Sequence, residues 1–171
     1  NTIEVATGGV LAFTDDIVCK YDVINAGTIQ GGTFTGTVTN HGTINGGIFE
    51  NTLPESNVIN GGTFNGGITV SATINGGTFK GDLRNYRAIN GGTFHGVVNN
   101  YGTIYDGTFF GIVNNERIIS DGYFRSLVNN YSTIRNGNFV NTVANEQLIE
   151  NGTFGFAVFN NAIIKNGKFT M

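Results

Sequence analysis

The chain holds 171 residues with 27 Gly, 1 Pro, 12% charged residues and a formal net charge of -3. Collagen is excluded, because it needs Gly at every third position and abundant Pro, and disorder is excluded by 39% hydrophobic residues at so low a charge. The 9 Lys+Arg are scattered singly among 12 Asp+Glu, which gives no basic stripe for nucleic acid, and no apolar run is long enough for a membrane span.

Residues 1–13 show no period, and Val10, Leu11 and Phe13 are expected to fold over the first coil as a cap or docking segment. Residues 14–28 read as a worn copy of the repeat that begins at Ile29, with Cys19, Val23 and Asn25 in place of Phe, aliphatic and Asn. A lone Cys excludes an internal disulfide framework, and Cys19 reads as a small buried hydrophobe. Asp15, Asp16 and Asp22 gather here without the spacing of a calcium loop, so no metal is expected.

From residue 29 to 171 the sequence repeats with a period of fifteen. Ile29, Ile44, Ile59, Ile74, Ile89 and Ile104 begin a column that runs to Ile164, and Phe34, Phe49, Phe64, Phe79, Phe94 and Phe109 begin one that runs to Phe169. Between them lie Gly32, Gly47, Gly62, Gly77, Gly92 and Gly107, continuing to Gly167. Four residues after each Phe but the last comes an aliphatic, among them Val38, Leu53, Val98, Val113 and Val128. Side chains on a strand alternate faces. The spacings of four from Phe to aliphatic and six from aliphatic to Ile therefore keep one side inward, and the spacing of five from Ile to the next Phe does not. The odd step contains Gly-Gly in the earlier copies and Asp-Gly or Asn-Gly from Asp106 onward. These residue types tolerate positive φ and mark a tight corner where parity resets.

A helix would need apolar spacings of three and four and fewer β-branched and Gly residues. A hairpin array would alternate two kinds of loop, whereas every copy here carries the same signals. What remains is an all-β, single-stranded parallel β-helix, or β-solenoid, with three faces per coil and about 10–11 coils. At about 4.8 Å per coil the rod is about 50 Å long. A second corner falls near Gly36, Gly66, Gly81, Gly96 and Gly111. The third falls near Asn25, Asn40, Asn85, Asn100, Asn115, Asn130, Asn145 and Asn160, whose amides are expected to form a ladder. Glu55 and Val70 break that column, and with Pro54 beside the break a bulge is expected.

Residues 73–85, Thr-Ile-Asn-Gly-Gly-Thr-Phe-Lys-Gly-Asp-Leu-Arg-Asn, resemble the Gly/Asn-rich β-solenoid repeats of large secreted and surface-attached bacterial proteins. The resemblance covers about residues 23–171 and implies an extracellular, structural role as stalk, adhesin shaft or fibre subunit. The coil length is also similar to that of insect antifreeze β-helices. Those use paired Thr rows, whereas Thr63, Thr78, Thr93 and Thr108 lack a regular Thr partner two residues on.

Among the remaining residues, Asp106 and Asp121 occupy the corner position where Gly and Asn substitute, and His41 and His95 fall in different columns. Neither catalysis nor a cofactor is therefore expected. Tyr86, Tyr101 and Tyr131 share a column with Glu116 and Glu146, which suits either sugar stacking or a plain cross-coil ladder. Ile164 and Phe169 complete the motif with no capping segment after them, and Val97, Ile112 and Leu127 form an outward apolar column. Open strand edges are templates for another chain. The expected function is a self-assembling, secreted or cell-surface protein, a filament subunit or adhesin shaft, whose partner is itself by head-to-tail stacking. A carbohydrate- or ice-binding module is the alternative, with glycans as partner, and a polysaccharide-cleaving β-helix the third.

Overall fold

The computed structural model describes residues 1–14 and 16–170 and shows a parallel β-solenoid of about 11 turns, with no helix among those residues. Each regular coil carries three short strands, as in Val98–Asn100, Thr103–Ile104 and Thr108–Phe109. Each strand pairs with its equivalent in the next coil: Val98 faces Val113, Thr103 faces Ile118, and Phe94 faces Phe109. The ten Phe strands and Val18–Cys19 form one sheet of 11 strands. The other two columns merge into a second sheet because Val38–Ile44 and Leu53–Ile59 run unbroken through the corner between them.

Alternation puts Phe, aliphatic and Ile inside. Ile29 through Ile149, Phe34 through Phe154 and the aliphatics from Val23 to Val143 are all buried. From Phe34 to Phe154 the rings stack with centroids 4.8–5.1 Å apart and planes within 10° of parallel. That spacing is the separation of hydrogen-bonded strands, so the backbone sets the geometry of the ring stack.

The parity reset sits where the odd spacing demands it. Gly32, Gly47, Gly62, Gly77, Gly92, Gly107, Gly122, Gly137 and Gly152 take positive φ, and among the described residues no other residue type does. From Gly32 to Gly152 the left-handed conformation thus belongs to the second member of each corner pair, and Asp106, Asp121, Asn136 and Asn151 keep ordinary backbone; Gly167 in the last pair does not adopt it, and Gly8, before the repeat, does. The first member answers to a different constraint. A Cβ at Gly46 or Gly61 would stand 2.7 Å from a carbonyl of the coil below, a gap that widens to 3.1 Å at Gly91. Beyond it the corner opens: the second glycine moves from +104 to +121° in the Gly-Gly coils to +139 to +149° in the Asx-Gly coils. There a side chain fits, and the Asp106 and Asp121 carboxylates accept the N–H of the following Gly at 2.7 and 2.8 Å.

The Asn corner points inward. Asn25, Asn40, Asn85, Asn100, Asn115, Asn130 and Asn145 are buried, and each side-chain amide donates from Nδ2 to the Oδ1 or hydroxyl of the next coil. From Asn85 to Asn160 these bonds measure 2.6–2.8 Å. The same Oδ1 accepts the N–H two residues on, as from Gly27 to Asn25 and Gly102 to Asn100, so the amide also closes the turn. The expected break differs in detail. Glu55 is exposed, and Ser56, one residue later, occupies the column and accepts from Asn40 at 3.0 Å. The chain recovers its register by Ile59, which faces Ile44. Pro54 lies within this bulge, where a strand can spare an N–H. Val70, buried, then interrupts the amides before Asn85.

Residues 1–13 do not lie across the first coil. Ile3 pairs opposite Val23 and Leu11 opposite Ile29, both wider offsets than the fifteen of a regular coil. The segment therefore adds a wider coil to the stack, and Phe13 tilts against Phe34 with centroids 6.2 Å apart. No helix long and apolar enough to cross a membrane occurs among the described residues.

Replacing Asn115 by Ala removes the acceptor of Asn100 and the donor to Asn130 in a buried column. Asn115→Ala is expected to cost about 2–3 kcal/mol, read as a lower urea midpoint. A midpoint unchanged from the parent would show that the amide ladder contributes nothing to stability.

Candidate functional site

With the interior filled by ladders, any chemistry toward other molecules must come from outward columns and the coil ends. At the last coil Phe169 is 52% exposed and stacks on Phe154 at 5.3 Å with a 25° tilt, looser than the ladder behind it. Elsewhere in the last coil Phe156, Phe159 and Ile163 are exposed, and Ile164 is half-buried. At the opposite end Val10 is exposed while Leu11 and Phe13 are half-buried against the core. Val97 and Leu127 are half-buried and Ile112 exposed, one above another on consecutive coils. The structure therefore separates the residues expected at an interface into two ends and one lateral column.

Several outward columns are ladders in their own right. Asn60, Asn75 and Asn90 donate to Asn45, Asn60 and Asn75 at 2.8 Å, and Asn129 and Asn114 donate to Asn114 and Asn99 at 2.8 and 2.9 Å. Tyr86 and Tyr101 stack with centroids 5.2 Å apart. His95 stacks on Phe110 at 4.8 Å, and the Arg125 guanidinium stands 5.0 Å from the same ring. A shallow trough of about 670 Å³ runs along the Gly-Gly corner beside Thr63, Thr78 and Thr93. Its Thr row is interrupted by Ile48 on one side and Tyr123 and Asn138 on the other.

The acidic residues serve the backbone. Asp106 and Asp121 cap their own corners, and Asn136 donates to Asp121 Oδ2 at 3.1 Å. Asp22 and Asp82 have a role the sequence reading missed: each accepts a backbone N–H from the coil above, Thr37 at 2.8 Å and Val97 at 2.9 Å. The signal for it is an Asp immediately before an aliphatic core residue, as in Asp22-Val23 and Asp82-Leu83. Asp15 lies outside the described residues, and among those described no three His, Cys, Asp or Glu side chains converge. His41 and His95 stand on different columns, and Cys19 is buried with its Sγ donating to the Tyr21 carbonyl at 3.7 Å.

A more enclosed feature is a cleft of about 250 Å³ lined by Thr52, Gly67, Thr69, Asp82, Arg84 and Asn99, with Ile68 as its floor. It exists because Gly67 stands in a column that holds Thr37 and Thr52 in the coils below. No family model, curated protein or solved structure matches the chain.

If Asp106 and Asp121 act only as corner caps, the double variant Asp106→Asn/Asp121→Asn, which copies Asn136 and Asn151, keeps its stability within about 0.5 kcal/mol of the parent in a urea melt. A loss several times larger would show that the carboxylate charge itself matters there.

Proposed function

We propose that this chain is a structural, extracellular protein, a filament subunit or the shaft of a surface adhesin, built by end-to-end stacking of coils and carrying out no catalysis. The observation that carries this reading is the unbroken run of identical ladders, Phe on Phe at 4.8–5.1 Å from Phe34 to Phe154 and Asn on Asn from Asn85 to Asn160, in which every coil offers the next the same surface. Phe169 keeps the register of Phe154 one coil on, and Lys168 that of Thr153. A coil of this geometry is complementary to any other of the same register, whether of the same polypeptide or of a second copy. A contact of this kind is heterologous, so it propagates along an axis and does not close. The resemblance of residues 73–85 to repeats of secreted and surface-attached bacterial proteins supports the same reading.

Negative-stain microscopy of the purified chain tests it. Rods of constant width are expected, many times longer than the about 50 Å of one chain, and Phe169→Asp with Ile163→Asp is expected to return them to single length. Wild-type chains that stay at single length at every concentration would overturn it.

A further inference from the structure

We infer that the cleft at Gly67, together with the Tyr86–Tyr101 pair, is a binding site for a neutral, linear β-linked glycan lying along the rod. The inference stands apart from the filament or shaft reading and holds with either.

The face is built by alternation. After Leu83, Arg84 on the strand and Tyr86 on the bend beyond it are exposed with Asn85 buried between them, and one coil on Asn99 and Tyr101 flank buried Asn100 in the same way. Arg84 and Asn99 line the cleft, while Tyr86 and Tyr101 stand two residues on, exposed at the bend that follows each strand. The result is a polar slot with a pair of exposed tyrosines two residues further along the chain.

The polar groups are free to serve a ligand. Asp82 spends Oδ1 on the Val97 N–H, and its Oδ2 makes no hydrogen bond to protein among the described residues. Asn99 uses Oδ1 to accept from Asn114, which leaves its Nδ2 to donate. Arg84 is exposed and forms no ion pair with Asp82, although both line one small cleft; the ion pair found among the described residues joins Lys165 to Glu150. A carboxylate acceptor, a guanidinium donor and two Thr hydroxyls within one slot suit vicinal hydroxyl groups, which donate and accept at once. With one positive and one negative side chain in the slot, a neutral ligand is matched better than an acidic one.

The tyrosine pair adds two ring edges and two phenol hydroxyls, which both donate to and accept from sugar hydroxyls. Tyr86 and Tyr101 are 51% and 42% exposed and within 16° of parallel, so they present an amphipathic edge that stays wet when unoccupied. Their 5.2 Å spacing is close to the rise of one hexose in an extended β-linked chain. Successive sugars can therefore meet successive coils without strain. The Thr trough on the opposite corner offers no such combination, because Gly and Thr with one Ile line it and no aromatic or charged group does.

The test is a titration of the isotope-labelled chain with cellohexaose, followed by amide NMR shifts. Saturable shifts centred on residues 67–69, 84–86 and 99–101 are expected. Gly67→Thr, which restores the side chain of the coils below and fills the cleft, and Tyr101→Ala, which removes one of the two tyrosines, are each expected to weaken binding at least tenfold with an unchanged circular dichroism spectrum. If either fails to fold, Tyr86→Ala supplies the same test at a 51% exposed position. Absence of saturable shifts, shifts centred on Thr63–Thr93, or variants that bind as tightly as the parent would overturn the inference.

Discussion

In-register parallel stacking is the constraint from which the rest follows. Every backbone N–H that bonds to the neighbouring coil, such as Tyr101 to Asn85 or Tyr105 to Ile89, helps hold each residue one strand spacing from its equivalent in that coil. A residue type is therefore judged by how well it tolerates its own kind as a neighbour. Phe, Ile, Val and Asn pass this test, the first three by packing and Asn by bonding amide to amide. Like charges fail it, since two unit charges at about 5 Å repel strongly where water is partly excluded. The outer columns show the result: Tyr131 separates Glu116 from Glu146, Gly102 separates Arg87 from Arg117, and the charged neighbours of Glu150 are the cations Arg135 and Lys165. The 12% content of charged residues is thus a consequence of the stacking. Asp106 and Asp121 are the exception, and each carboxylate there is engaged by a backbone N–H.

The corners divide the remaining work. One needs a left-handed residue and takes Gly without exception from Gly32 to Gly152. The second brings coil backbones so close that a Cβ at Gly81 or Gly111 would collide with Gly66 or Gly96. The third buries an amide. A buried Asn is costly unless all its groups are paired, and here the ladder pairs them with the coil above and the turn itself. Because the pairing works only at one register, a slip by one residue would strand every amide in the column. Ser56 shows the permitted limit, a local slip in which a hydroxyl replaces the amide and the register returns at once.

The core is legible in the sequence because period and alternation together assign an inward side to each residue from 29 onward. Three features are not. The N-terminal segment adds a coil in which Ile3 meets Val23 and Leu11 meets Ile29, and a search at the regular period cannot reveal these wider offsets. A fixed register puts the column break at Glu55, since it cannot foresee that the bulge at Pro54 turns Ser56 inward. Asx-Gly pairs look equivalent to Gly-Gly pairs in sequence, yet the first member sits in ordinary backbone and the corner opens to admit it. Of the candidate site, the Tyr column is readable from spacing. The cleft beside it is not, because its cause is the missing side chain of Gly67 in an outward column that carries no periodic signal.

The central claim is that the molecule is indifferent to the number of coils and intolerant of a fractional one. Thermal unfolding of two deletions measures this directly. Removing residues 91–105, one whole coil, is expected to leave a folded β protein with a cooperative transition near that of the parent. Removing residues 91–97, about half a coil, is expected to abolish the transition by misaligning the Phe, Ile and Asn columns on either side. Equal stability of the two deletions would contradict the account.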